Sequence, residues 1–135
     1  MINNVVYGYN SATQPTYENQ FDIIGNVYIS NPNVSTSYEN VRLEASLNNC
    51  PNGVITETKA YISDNLFNGS SISVSSNLNP YIQSNEIFNS GISIKPVTEV
   101  LNYVLENVGN SIKRDETDTR IINDVINRTG SLKSS

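Results

Sequence analysis

Phe21-Asp22-Ile23-Ile24-Gly25-Asn26-Val27-Tyr28 is the stretch on which the fold turns, because two others superimpose on it without gaps. They are Ala60-Tyr61-Ile62-Ser63-Asp64-Asn65-Leu66-Phe67 and Pro80-Tyr81-Ile82-Gln83-Ser84-Asn85-Glu86-Ile87. Each reads Ile, two residues, Asn, one residue, then a large apolar side chain. Met1-Ile2-Asn3-Asn4-Val5-Val6 fits as a fourth copy with Met1 in the Ile position. The asparagines Asn4, Asn26, Asn65 and Asn85 lie 22, 39 and 20 residues apart. Stacked parallel strands sit about 4.8 Å apart, so equivalent side chains of successive copies lie over one another. Asn tolerates the left-handed backbone of a corner, and stacked Asn amides hydrogen-bond from copy to copy. The repeat therefore predicts a β-solenoid with an Asn ladder at its corners. Ile23, Ile62 and Ile82, and Tyr28, Phe67 and Ile87, should stack inward. A β-sandwich is the alternative.

Composition agrees with many short strands joined by turns. The 135 residues include 22 Asn and 18 Ser, and the apolar set is β-branched, with 15 Ile and 12 Val against 7 Leu. Disorder would bring fewer β-branched residues and more than the 16 % charged residues found here. Without His there is no Ser-His-Asp triad, no His-ligated zinc and no imidazole acid or base. The lone Cys50 allows no internal disulfide and is expected to be an inert buried thiol. A net charge of −5 argues against a nucleic-acid surface. No apolar run approaches the roughly 18 residues of a membrane span. The start, MINNVVYGYN, lacks the basic and apolar stretches of a signal peptide.

Two other regions have a different texture. From Ser30 to Lys59, Asn-Pro-Asn and Asn-Asn-Cys-Pro-Asn-Gly mark an inserted loop at about 30–59, with at most one short strand, near Val41-Arg42-Leu43. After Lys95 the period changes. Val97, Val100, Leu101, Val104, Leu105 and Val108 repeat at helical spacing between Pro96 and Gly109-Asn110. A second helix, acidic at its start (Asp115, Glu116, Asp118), buries Ile121, Ile122, Val125 and Ile126 and ends near Arg128 and Gly130. Residues 1–95 are thus expected to form the coils and residues 96–135 a helical cap and tail over the last open edge.

The tail is also recognisable. Val104-Leu105-Glu106-Asn107-Val108-Gly109, then Arg114-Asp115-Glu116-Thr117-Asp118-Thr119-Arg120-Ile121 and Thr129-Gly130, resembles the C-terminal end of family one pectate lyases, with their VLENAG-like and RDxxDxRI-like stretches. Asn3-Asn4-Val5-Val6-Tyr7 looks like that family's NNVxY strand. Gly25-Asn26-Val27-Tyr28 with Pro32-Asn33 looks like its NxYxPGP segment, and Ala60 to Asn65 like its YxSGN coil. The resemblance implies an all-β fold, a right-handed parallel β-helix with two C-terminal α-helices packed on it. It implies secretion and calcium-dependent β-elimination of pectate (polygalacturonate), with an arginine removing the C5 proton of a calcium-neutralised uronate. The family's catalytic arginine lies in an RxPxxR-like motif before NNVxY, and its calcium carboxylates lie earlier still. Neither is present here, so no residue of this chain is assigned as catalytic or as a calcium ligand, and no substrate-binding residue is identified. Ile29 replaces the family's Lys after NxY. The chain therefore resembles the C-terminal third of the enzyme, inactive alone. Two other readings stand beside it. One is a non-catalytic β-solenoid that binds glycans or serves as structure, such as a phage tail spike segment. The other is a small protein acting through residues the family does not use.

Individual residues have a functional and a plainer reading. Arg114, Asp115, Asp118 and Arg120 look like a polar cluster but are expected to pair with each other and with backbone at the helix junction. Arg42 and Lys59 flank the long loop, as contacts for an acidic polysaccharide or as solvated cations. Tyr9, Tyr17 and Tyr38 are sugar-stacking platforms or packing residues. Asp64 is a corner residue. The sequons at Asn33, Asn68 and Asn127 are expected by chance at this Asn and Ser content. Ile2 to Tyr7 would be an uncapped strand, through which the chain is expected to self-associate.

Overall fold

The computed structural model describes residues 1–44 and 57–131; Cys50 and most of the second half of the inserted loop lie outside them. Six strands, β1 (Val5–Tyr7), β2 (Gln20–Ile24), β3 (Val27–Ile29), β4 (Lys59–Ser63), β5 (Leu66–Phe67) and β6 (Ser70–Ser71), are followed by a 3-10 helix at Ser76–Tyr81. Two α-helices complete the order, α1 (Val97–Asn107) and α2 (Glu116–Asn127).

The copies at Met1, Phe21 and Ala60 lie in the register that the alignment predicts. Val5 pairs with Val27 and Val27 with Leu66, in parallel. Phe21 to Ile24 pair with Ala60 to Ser63, again in parallel. The corner itself is one residue earlier than expected. Asn3, Gly25 and Asp64, each just before a ladder asparagine, hold φ of 52°, 63° and 53°. The ladder asparagines are thereby free to stack, while Asn, Gly and Asp supply the left-handed backbone that other residues resist.

The copy at Pro80 to Ile87 does not stack. Pro80 lies inside the 3-10 helix, where the alignment requires extended chain. Only an isolated bridge from Ala60 to Ile82 continues the pairing. Asn85 bonds through its amide to the neighbouring Ser84, outside the ladder, and Ile82 is not buried but about two-fifths exposed. Before that, Asn68 and Gly69, with φ of 48° and 82°, reverse the chain so that β6 runs antiparallel to β5. Two successive left-handed residues are what a tight I′ hairpin needs.

The expected all-β, right-handed parallel β-helix is therefore not the architecture. The strands form two separate small sheets, a mixed one ordered β1-β3-β5-β6 and a two-stranded one, β2-β4, and among the described residues neither is a closed or solenoid sheet. The content is mixed α/β, since the two α-helices hold 11 and 12 residues while the longest strands hold 5. The physical cause is local. A proline and an Asn-Gly pair divert the chain where further stacking would need extended backbone.

Two apolar clusters hold the molecule together. Along β3, Val27 and Ile29 face one side and Tyr28 the other, as strand alternation requires. Val27 and Ile29 meet Val97 and Val100 of α1. Tyr28 joins Ile23, Ala60, Tyr9 and Leu78. Val41 and Leu43, from the segment expected to hold at most a short strand within the inserted loop, are both fully buried in this second cluster. Val41 bridges Thr13 on one side and Val74 on the other rather than forming a strand. On α2 only Ile122 is buried; Ile121 and Ile126 are about half exposed, so the helix packs through a narrower stripe than its sequence suggests.

Candidate functional site: a polar groove across the short parallel sheet

β2 and β4 begin side by side, with Gln20 paired to Lys59. The next segment joins them where the Gln83 amide N–H donates to the Ala60 carbonyl at 2.7 Å. The Ala60–Ile82 bridge sets Tyr81 opposite Lys59, and Gln83, two residues on, still lines one depression with Gln20 and Lys59. An open groove of about 350 Å³ lies on one side, lined by Thr13, Gln14, Thr16, Asn19 and Gln20. A depression of about 380 Å³ lies on the other, lined by Gln20, Lys59, Gln83, Ser84, Asn85 and Glu86. Gln20 belongs to both.

The lining is preset by short-range bonds. Asn19 Nδ2 donates to Thr16 Oγ1 at 2.7 Å, and Gln83 Nε2 to the Tyr81 carbonyl at 3.0 Å. Gln20 Nε2 reaches Glu57 Oε2 at 3.4 Å, and Gln14 Nε2 reaches Glu44 Oε2 at the same distance. The far wall is fixed by Asp22, a buried residue whose carboxylate accepts from the backbone N–H groups of Ile87 (3.0 Å) and Phe88 (2.9 Å). Among the described residues the Lys59 ammonium forms no ion pair and no hydrogen bond. Amides, hydroxyls, the Glu86 carboxylate and an ammonium unpaired among the described residues offer donors and acceptors to hydroxyl groups and a cation to a carboxylate.

The residues singled out in the sequence scatter. Lys59 sits in the groove. Arg42 does not; its guanidinium stacks 4.2 Å over the ring of the exposed Tyr38. Tyr9 is buried, accepting from Asn40 Nδ2 at 2.6 Å and meeting Tyr28 edge-on. Tyr17 packs edge-on against Tyr81 with centroids 6.1 Å apart. Of the three tyrosines only Tyr38 presents its ring to solvent to the extent a sugar platform needs. Burial pushes the Tyr28 and Tyr9 phenols above their usual value, as it does for Tyr7, so none of these hydroxyls is a base near neutrality. Asp64 is at its corner.

The tail motif is a fastening. Arg114 donates through one guanidinium nitrogen to the carbonyls of Leu105 and Glu106 at the end of α1. Asp115 caps α2, its carboxylate accepting from the Asp118 N–H at 2.9 Å. Arg120 pairs with Asp124 at 3.1 Å, and Thr129 Oγ1 donates to the same carboxylate at 2.7 Å. Tyr7 Oη and Asn31 Nδ2 both donate to the Thr129 carbonyl, which binds α2 to the mixed sheet. Among the described residues no three His, Cys, Asp or Glu side chains are grouped to hold a metal ion, and no helix is long and apolar enough to cross a membrane.

Gln14, Thr16, Asn19, Gln20, Gln83 and Ser84 carry no motif and were not among the sequence candidates. One signal for them exists: extending the aligned repeats one residue backward places Gln20 beside Lys59. No protein-family model, no curated protein and no solved structure matches this chain.

Proposed function

We propose that this chain is a non-catalytic, C-terminal part of a pectate lyase-like polysaccharide lyase, and that it grips an acidic glycan in the groove across Gln20, Lys59 and Gln83. The observation that carries the reading is the Lys59 ammonium, unpaired among the described residues, in a trough lined by the Gln20, Gln83 and Asn85 amides, the Ser84 hydroxyl and the Glu86 carboxylate. The tail residues that resemble the family support it in a second way. Arg114, Asp115 and Arg120 hold helices and backbone together rather than converging on one sugar. In this reading the base and the calcium carboxylates belong to other parts of the enzyme, and Lys59 meets a uronate carboxylate while the amides take ring hydroxyls.

The test is calorimetric titration with polygalacturonate oligomers and with their methyl-esterified counterparts. Lys59→Gln should weaken binding of the acid form about two- to fivefold, the size of one exposed ion pair. It should leave the esterified form unchanged. With calcium added, the chain should bind polygalacturonate without producing the ultraviolet-absorbing unsaturated product of elimination. Absence of binding, or equal effects of Lys59→Gln on both forms, overturns the groove assignment; elimination by this chain overturns its non-catalytic role.

A further inference from the structure

The Asn ladder has a direction. Asn26 donates its backbone N–H and its Nδ2 to Asn65 Oδ1, both at 2.9 Å. Asn4 donates the same two groups to Asn26 Oδ1, at 2.9 and 3.2 Å. Every step therefore runs from donors on one copy to an acceptor on the next. At the Asn4 end the sequence of bonds stops on an acceptor. Among the described residues, Asn4 Oδ1 receives no hydrogen bond, and Asn4 is exposed.

The backbone beside it ends in the same way. The Asn4 carbonyl accepts from Val27 N–H and the Gly8 N–H donates to the Ile29 carbonyl, so even-numbered residues face β3. By the alternation of a parallel ladder, Val5 and Tyr7 turn their N–H and C=O groups outward. β1 is the edge of its sheet, and Ile2 bridges Ile24 at the edge of the other.

We propose that this edge is a docking site for a parallel strand that carries asparagine opposite Asn4. The occupant is specified residue by residue. It needs a Gly, Asn or Asp to make the left-handed corner, as Asn3, Gly25 and Asp64 do. It then needs the asparagine, whose N–H and Nδ2 satisfy Asn4 Oδ1, followed by an apolar residue stacked on Val5 and a large one stacked on Val6. Those two positions are Val27 and Tyr28 in the neighbouring strand. A second copy of the chain does not meet this specification. Its β1 brings an asparagine whose N–H is already bound, and its β6 brings only serines.

A lysine-flanked peptide of the sequence Ile-Ile-Gly-Asn-Val-Tyr-Ile, taken from residues 23–29, is the probe. Titrated into the isotope-labelled full chain, it should shift the Val5 and Tyr7 amides, and a spin label on its N-terminus should broaden Ile2 rather than Gly8. The same peptide with alanine for asparagine should bind about tenfold more weakly, the worth of one hydrogen bond. Asn4→Ala in the protein removes the acceptor of both bonds and should weaken binding at least as much, and against that variant the two peptides should bind alike. Light scattering should show that any self-association is dispersed by the asparagine peptide and less by the alanine one. No binding, equal affinity of the two peptides, broadening at Gly8, or a dimer untouched by the peptide overturns the proposal.

Discussion

Replacing Asn26 by alanine isolates what the ladder contributes. Asn26 is fully buried, and its side chain makes four hydrogen bonds. Nδ2 donates to Asn65 Oδ1 at 2.9 Å and to the Met1 carbonyl at 3.1 Å. Oδ1 accepts the Asn4 N–H at 2.9 Å and Asn4 Nδ2 at 3.2 Å. At about 1 kcal/mol net for each bond, with a surcharge for buried partners left unmatched, Asn26→Ala should cost about 3–5 kcal/mol. That is a large share of the roughly 5–15 kcal/mol that holds an ordinary domain folded. Asn4→Ala is the internal control. Asn4 is exposed and water can replace its lost partners, so its change should cost about 1 kcal/mol. The assay is urea unfolding followed by circular dichroism, comparing midpoints at unchanged slope. If Asn26→Ala lies within about 1 kcal/mol of the parent, or if Asn4→Ala costs as much, the ladder is decoration and the sheets are held by apolar contact alone.

Gly25→Ala tests the corner. At φ +63° a Cβ would stand 2.5 Å from Asn3 Nδ2, which is itself bonded to the Lys95 carbonyl, so the change should cost about 2 kcal/mol or more by strain and a displaced bond; a neutral effect in the same urea assay would show that the corner relaxes freely. Alkaline pH tests the buried phenols. Burial raises Tyr28 and Tyr9 above 10.0, whereas the unfolded chain ionises near that value, so above it the native state holds more protons than the unfolded one. Stability should be flat with respect to these groups below about pH 10 and fall as pH rises beyond it, with Tyr28→Phe flattening part of the slope. A urea midpoint constant between about pH 9 and pH 11 would contradict the assignment.

The part of the fold that was legible is the part governed by repetition. Aligning Phe21–Tyr28 with Ala60–Phe67 fixed a register that the sheet keeps pair for pair, since identical periodicity on two strands leaves one way to stack the same faces. The helices were legible for the same reason, their apolar positions recurring at helical spacing. What escaped were single-residue decisions. Pro80 turned an aligned copy into a 3-10 helix, and Asn68-Gly69 folded the chain back after β5. Val41 and Leu43, read as at most a short strand within an inserted loop, are core because their neighbours are supplied from Thr13 and Val74, far away in sequence. The groove escaped altogether. Its amides belong to strand starts brought together by register, and only Lys59 stood out as a lone cation beside a loop.

The clasp between Tyr7, Asn31 and the Thr129–Gly130 backbone spans up to 122 residues of chain. Contacts of such sequence separation form late, because a long loop must close before they contribute. During synthesis the short sheets and their Asn ladder are complete once Ser71 has emerged, whereas α2 finds its seat only after Gly130. For that interval the apolar face of β3, with Val27 and Ile29, waits for Val97 and Val100 to cover it. A nascent chain whose emerged part ends between residues 71 and 97 therefore carries its stickiest surface finished but still bare, and chaperone demand should peak there rather than at release.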